Sequence, residues 1–123
     1  MLIDNAMQVK LLDFGFATTK NIDKLTDYRG TQSYMAPEIK KGDVYDGKEV
    51  DIFSLGVVIY SLVRGLFPFG EARSDDYWYN LIRQRRFDYY FSKVDAEGTL
   101  SEEFKDLITS MFAEEGKDRP SIQ

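Results

Sequence analysis

The stretch whose reading decides the fold is GTQSYMAPE, residues 30–38, taken together with LLDFGFATT at residues 11–19. Pro37 pushes Ala36 towards extended backbone and is itself suited to the first turn of a helix, so the segment reads as an extended approach followed by a short helix. Upstream, MLID and MQVKLLDF read as two short strands joined at Asn5-Ala6, a hairpin whose apolar side chains are Val9, Leu11 and Leu12. Asp13-Phe14-Gly15 then closes the second strand. Between Gly15 and Tyr34 no period of two or of 3.6 holds, and Thr18, Thr19, Thr26 and Thr31 make the stretch polar. A connection that long without its own pattern predicts a functional or mobile loop.

Downstream the pattern turns helical. KGDVYDG, residues 41–47, is turn-like. EVDIFSLGVVIYSLVRG, residues 49–65, is apolar almost all round and stops at Gly65, which predicts a helix in the centre of the fold. It is too short and too interrupted by Ser54, Gly56 and Ser61 to span a membrane. Residues 74–86, SDDYWYNLIRQRR, predict a second helix capped by Ser74, with Asp75 and Asp76 in its first turn. In residues 101–115, Phe104, Leu107, Ile108, Met111 and Phe112 fall on one helical stripe behind a Ser101 cap. The whole reads as a hairpin, a long loop and a helical body.

Composition narrows the chemistry. At 123 residues, 43% hydrophobic and 15% aromatic, the chain predicts one globular domain with one core. A formal net charge of −5 argues against a nucleic-acid footprint. With no Cys and no His, disulfides, thiolate metal sites and His-based triads are excluded within these residues. Acid–base or metal chemistry falls to carboxylates, hydroxyls, Lys or Tyr. No leader is expected after Met1, and a cysteine-free chain is compatible with the cytoplasm.

The ordered set DFG (13–15), GTQSYMAPE (30–38), DIFSLG (51–56) and RPS (119–121) resembles the C-terminal lobe of a eukaryotic serine/threonine protein kinase. DFGFAT and LSEEFKDLI lean towards the calcium/calmodulin-dependent branch. The resemblance implies a protein-kinase-like α+β fold, here a mostly helical C-lobe piece with a short N-terminal β-hairpin. Residues 1–123 would run from just after the catalytic loop to before the last helix of a partial kinase domain. They include no Gly-rich phosphate loop, strand Lys, helical Glu or His-Arg-Asp loop. The implied activity is transfer of the ATP γ-phosphate to protein Ser/Thr hydroxyls with Mg2+, inactive in these residues alone. The alternative is a non-catalytic, pseudokinase-like interaction module. Retention of Asp13, Gly15 and Thr31 favours the first.

Residue by residue, the resemblance gives Asp13 to Mg2+ and, with Phe14 and Gly15, to the ATP site. Phe14 packs at the lobe interface, and Gly15 supplies backbone freedom. Thr31 stands beside the catalytic Asp of the family, while Tyr34 and Met35 shape the wall for the substrate residue after the acceptor. Glu38 and Arg119 form a buried ion pair, and Asp51 bonds the catalytic-loop backbone. Phe53 stands where the family usually has Trp. Asp27 occupies the position of an activating phosphothreonine, so it imitates part of that charge or leaves Thr26 as the phosphosite. Read without the resemblance, Asp13 caps a turn, Phe14 is core and Thr31 is a solvated loop residue.

WYNLIRQRRFDYYF, residues 78–91, interleaves Arg with aromatics in the manner of single-strand binders. The acidic total opposes that. The reading preferred here packs Trp78, Leu81 and Ile82 inward and leaves Arg83, Arg85 and Arg86 solvated. The expected partners are therefore protein substrates, with regulators docking at the helix around Trp78, and neither nucleic acid nor membrane.

Overall fold

The structure is a computed structural model and describes residues 1–122. Strands β1 (Leu2–Ile3) and β2 (Val9–Lys10) pair antiparallel, Leu2 opposite Lys10 and Ile3 opposite Val9. Asp4 builds the turn: its Oδ1 accepts from the amides of Ala6 and Gln8, both at 2.9 Å. The ladder ends at Lys10, opposite Leu2. Asp13 therefore lies past the strand, in open backbone, and not at its end. Leu2, Ile3, Val9, Leu11 and Leu12 are all more than half exposed, so the hairpin packs no core of its own.

The body is helical, as the periodicity predicts. Helix α1 (Pro37–Lys41) starts after extended Ala36 and stops at Gly42, whose φ of +77° only glycine adopts without strain. Helix α2 (Gly47–Arg64) is capped by Asp46, which accepts from the Lys48 amide at 2.7 Å. It ends at left-handed Gly65, which donates to Ser61 O at 2.8 Å. Val50, Phe53, Val57 and Tyr60 run down its buried side. Gly56 lets α5 (Glu102–Met111) approach. A Cβ there would lie 3.0 Å from both Met111 Cβ and Phe112 Cε1. Ser101 caps α5 by accepting from the Phe104 amide at 3.2 Å. Ile108, Met111 and Phe112 are buried on the α2 side, whereas Leu107 is 45% exposed, at the edge of the stripe it was expected to join.

The expected helix over 74–86 is two helices, α3 (Tyr77–Arg83) and α4 (Phe87–Val94). The break is made by Arg85 at φ +56°, with its amide on Ile82 O and the Arg86 amide on Leu81 O, both at 2.9 Å. This is the closure that normally ends a helix on glycine. The cap is Asp76, not Ser74. Its Oδ1 accepts from the Tyr79 amide at 2.8 Å, and its Oδ2 accepts from Gly70 N at 3.0 Å and Glu71 N at 3.2 Å. One carboxylate thus both starts α3 and fixes the loop leaving α2. Leu81 and Ile82 point inward as expected, together with Tyr79, while Trp78 is only half buried against Tyr90.

Phe53 is fully buried in an aromatic cluster, 5.4 Å from the Phe112 ring and 5.8 Å from the Phe69 ring. Below it, buried Asp95 joins the ends of α2, α4 and α5. Its carboxylate accepts from the Thr99 amide and hydroxyl and from the Leu100 amide at 2.8–3.1 Å. Arg64 and Lys105 stand 3.7 Å away on either side. Burial alone would raise this carboxyl, but those bonds and Lys105 outweigh it and hold it below the ordinary range.

Candidate functional site

The long polar stretch is fastened at its middle. Leu25 and Tyr45 form an isolated antiparallel bridge, exchanging amide bonds of 2.8 and 2.9 Å. The Tyr45 hydroxyl donates to Asp27 O at 2.7 Å, and Gly47 N donates to Ile22 O at 2.6 Å. The turn that starts α2 therefore holds the loop by its backbone, leaving the Thr26 and Asp27 side chains exposed. Asp27 pairs with Arg29 at 3.7 Å, with both side chains more than half exposed, a geometry worth little in water. Residues 22–27 are thus a loop, as expected, with its backbone anchored at Leu25.

The next segment is seated by α2. A short 3-10 turn, Gln32–Tyr34, follows Thr31, whose hydroxyl makes no capping bond. Ser54 Oγ donates to Tyr34 O at 2.9 Å, and the Tyr34 ring meets Phe67 edge-on at 5.4 Å. Met35 is buried. Thr31, Tyr34, Met35, Asp51 and Ser54 consequently line one open cleft of about 680 Å3, which Gly15 and Thr26 line as well. Ser54 was not singled out from the sequence. Its signal was its place one turn after Asp51 on α2, where the two share a face.

The segment after the cleft motif is tied to the rest of the body through Glu38 and Arg119. The Arg119 side chain is fully buried, and Glu38 is 16% exposed. Nη1 donates to Glu38 Oε1 at 2.6 Å and Nη2 to Glu38 Oε2 at 2.8 Å, a two-pronged pair. The remaining donations go to Ala113 O at 2.9 Å, Glu49 O at 3.0 Å and Glu114 O at 3.2 Å. All five N–H groups of the guanidinium are used. Its flat face rests on Phe53, 5.1 Å from the ring centroid. One side chain thereby ties α1, the first turn of α2 and the segment after α5 together.

Asp51 is the opposite case, with no hydrogen bond to its carboxylate among the described residues. Part of it stays at the surface, yet surrounding protein displaces water from the carboxyl and pushes it above the ordinary carboxylate range. The folded chain then holds its proton more tightly than the unfolded chain. Stability falls as pH rises from the unfolded value through the folded one, and above it the ionised group is a liability. Asp51→Asn is expected to raise the melting temperature of the 123-residue chain at neutral pH, by on the order of 1 °C. The gain should disappear near pH ~3, where both states are protonated. A melting series across pH checks this, and a gain that persists in acid would exclude the charge as its cause.

Asp13 and Phe14 do not line the cleft, although Gly15 beside them does. Asp13 has φ +63° and its Oδ1 accepts from Gly15 N at 3.1 Å, a side-chain turn. A Cβ on Gly15 would lie 3.1 Å from that oxygen. Phe14 is 68% exposed rather than core. For Mg2+ the donor set fits in part. The ion uses one or two carboxylates and takes its other ligands from phosphates and water. Asp13 offers one carboxylate, with Oδ2 unengaged, and no cluster of three acidic groups forms among the described residues.

Comparison with known proteins places this geometry. The family model for the protein kinase domain matches residues 1–123. The SNF-related serine/threonine-protein kinase of Homo sapiens is 41% identical over 116 residues, 94% of this chain and 14% of that protein. Sperm motility kinase 2B of Mus musculus is 34% identical over 123 residues, covering 99% of this chain and 24% of the relative. A putative serine/threonine-protein kinase of Saccharomyces cerevisiae is 34% identical over 124 residues, 99% of this chain and 13% of its own length. The chain thus spans a quarter or less of these relatives.

Proposed function

The chain belongs to the protein kinase domain family, and from that premise we propose that it is the helical half of a serine/threonine kinase domain. Its reaction is transfer of the ATP γ-phosphate to protein Ser or Thr hydroxyls. The observation that carries the reading is the cleft in which Thr31, Tyr34, Met35 and Asp51 converge. Thr31 presents a hydroxyl with no local bond, suited to orienting an acceptor or the carboxylate that takes its proton. Tyr34 and Met35 form the wall against which the following substrate residue rests. Asp51, with no hydrogen bond to its carboxylate among the described residues, would accept from backbone amides of a catalytic loop.

Asp13 would give Mg2+ one ligand, with Phe14 and Gly15 completing that corner of the nucleotide site. Metal-bound ATP supplies the phosphoryl group and charge neutralisation. Thr26 and Asp27 form the regulatory pair of this reading, one as phosphoryl acceptor or the other as a fixed charge, on a loop already anchored by Tyr45. Regulators would dock at α3 and α4, where exposed Tyr77 and Tyr89 flank half-buried Trp78. No helix among the described residues is long and apolar enough to cross a membrane. The reading carries a cytoplasmic location with it.

Nothing in residues 1–123 supplies the catalytic base or the phosphate-binding Lys of this chemistry. The 123-residue chain, given Mg2+-ATP and a generic Ser/Thr peptide, is expected to transfer no phosphate above blank, whereas the full-length protein does. Turnover by the short chain would overturn this assignment of roles. Inertness of the full-length protein would favour the interaction module.

A further inference from the structure

We propose that α3 and α4 form a docking cradle for an acidic protein segment, a reading that deepens the regulator site above and does not depend on phosphoryl transfer. The chain is acidic overall, yet residues 83–93 hold Arg83, Arg85, Arg86 and Lys93 against the single carboxylate of Asp88. All four cations are exposed. None of them belongs to an ion pair among the described residues; Lys20, Lys24, Lys48 and Lys117 do not either, but Arg83, Arg85, Arg86 and Lys93 are gathered within residues 83–93.

Two of the four are held in place by a ring face rather than by a carboxylate. The Arg86 guanidinium lies 5.1 Å and the Lys93 ammonium 5.3 Å from the centroid of the Tyr89 ring. An aromatic face orients a cation while leaving its N–H groups to a ligand. Tyr89 is 40% exposed and Tyr77 58%, so apolar ring surface adjoins the charges. Arg83 and Arg85 border a cleft that also carries Glu115 and Asp118, which offset them, so Arg86 and Lys93 are the centre of the cradle.

Oriented donors beside aromatic surface match an acidic segment with interspersed apolar side chains. A nucleic acid matches less well: its phosphates extend beyond so short a patch and meet a protein of net charge −5.

The test is fluorescence anisotropy of a labelled Glu-Glu-Leu repeat peptide titrated with the 123-residue chain. Saturable binding that weakens with salt is expected, lost by about tenfold or more in Arg86→Glu/Lys93→Glu. Because reversed charge at both ends of α4 can disturb the helix, Arg86→Gln/Lys93→Gln is measured beside it, with circular dichroism as the folding check. An unchanged affinity in the folded Gln variant overturns the proposal. So does equal or tighter binding of a Lys-Lys-Leu repeat, an oligo-dT strand or phosphatidylserine vesicles. Binding without phosphate transfer by the full-length protein sinks the kinase reading and leaves the cradle standing.

Discussion

Arg119→Met is expected to destabilise the 123-residue chain by about 3–5 kcal/mol, a large share of what a domain of this size has. The loss comes from what is left behind rather than from the attraction removed. Glu38 keeps its charge with no partner at 2.6 or 2.8 Å, and the carbonyls of Ala113, Glu49 and Glu114 lose their donor. Arg119→Lys should recover little, since one ammonium cannot reach acceptors laid out for a planar fork. Adding Glu38→Leu to Arg119→Met should restore part of the loss, because a buried pair exchanged for apolar groups costs less than a half-broken one. Urea denaturation followed by circular dichroism measures all three. A single-variant loss below about 1 kcal/mol would show that the pair is solvated and ties nothing together.

Asp13→Asn separates chemistry from fold at the other end of the chain. Asn tolerates a φ of +63°, and its carbonyl oxygen can accept from Gly15 N as the aspartate does, so the melting temperature should stay within about 1 °C. What the amide lacks is the anionic oxygen a hard cation requires. In the full-length protein the rate of peptide phosphorylation is expected to fall by about a thousandfold or more. The peptide KM should move far less, because the substrate wall at Tyr34 and Met35 is untouched. A variant retaining wild-type rate would remove Asp13 from the metal site and leave it as the turn-former its geometry already makes it.

The contrast between these two residues follows how much was legible in the sequence. Glu38 and Arg119 are far apart in the chain, and only the resemblance paired them; no local signal predicts the three carbonyls that complete the guanidinium. Helix α2 was readable from its apolar run and its stop at Gly65, while its Asp46 cap and first residue fell in the segment read as a turn. The α3–α4 break was not, because Arg85 takes the left-handed position that glycine would have advertised. Asp76 outcompeted Ser74 as cap through its second set of bonds, to Gly70 and Glu71, which come from tertiary structure. The Leu25–Tyr45 bridge was invisible for a related reason: a pair of residues has no period.

In the cleft, Thr31, Tyr34 and Met35 come from one continuous motif, so their neighbourhood was expected; their meeting with Asp51 and Ser54 depends on the packing of α2. Phe14 was expected against a lobe that these residues do not include. A residue expected at an interface is 68% exposed here. The apolar hairpin around it, from Leu2 to Leu12, offers the same kind of uncovered surface.

The most direct test of the central claim is phosphoamino-acid analysis of a protein substrate incubated with the full-length protein and γ-labelled Mg2+-ATP. Label on serine and threonine, absent when Thr31 and Asp13 are both replaced by alanine, is the predicted result. Label on tyrosine, or no transfer by a folded full-length protein, would contradict it.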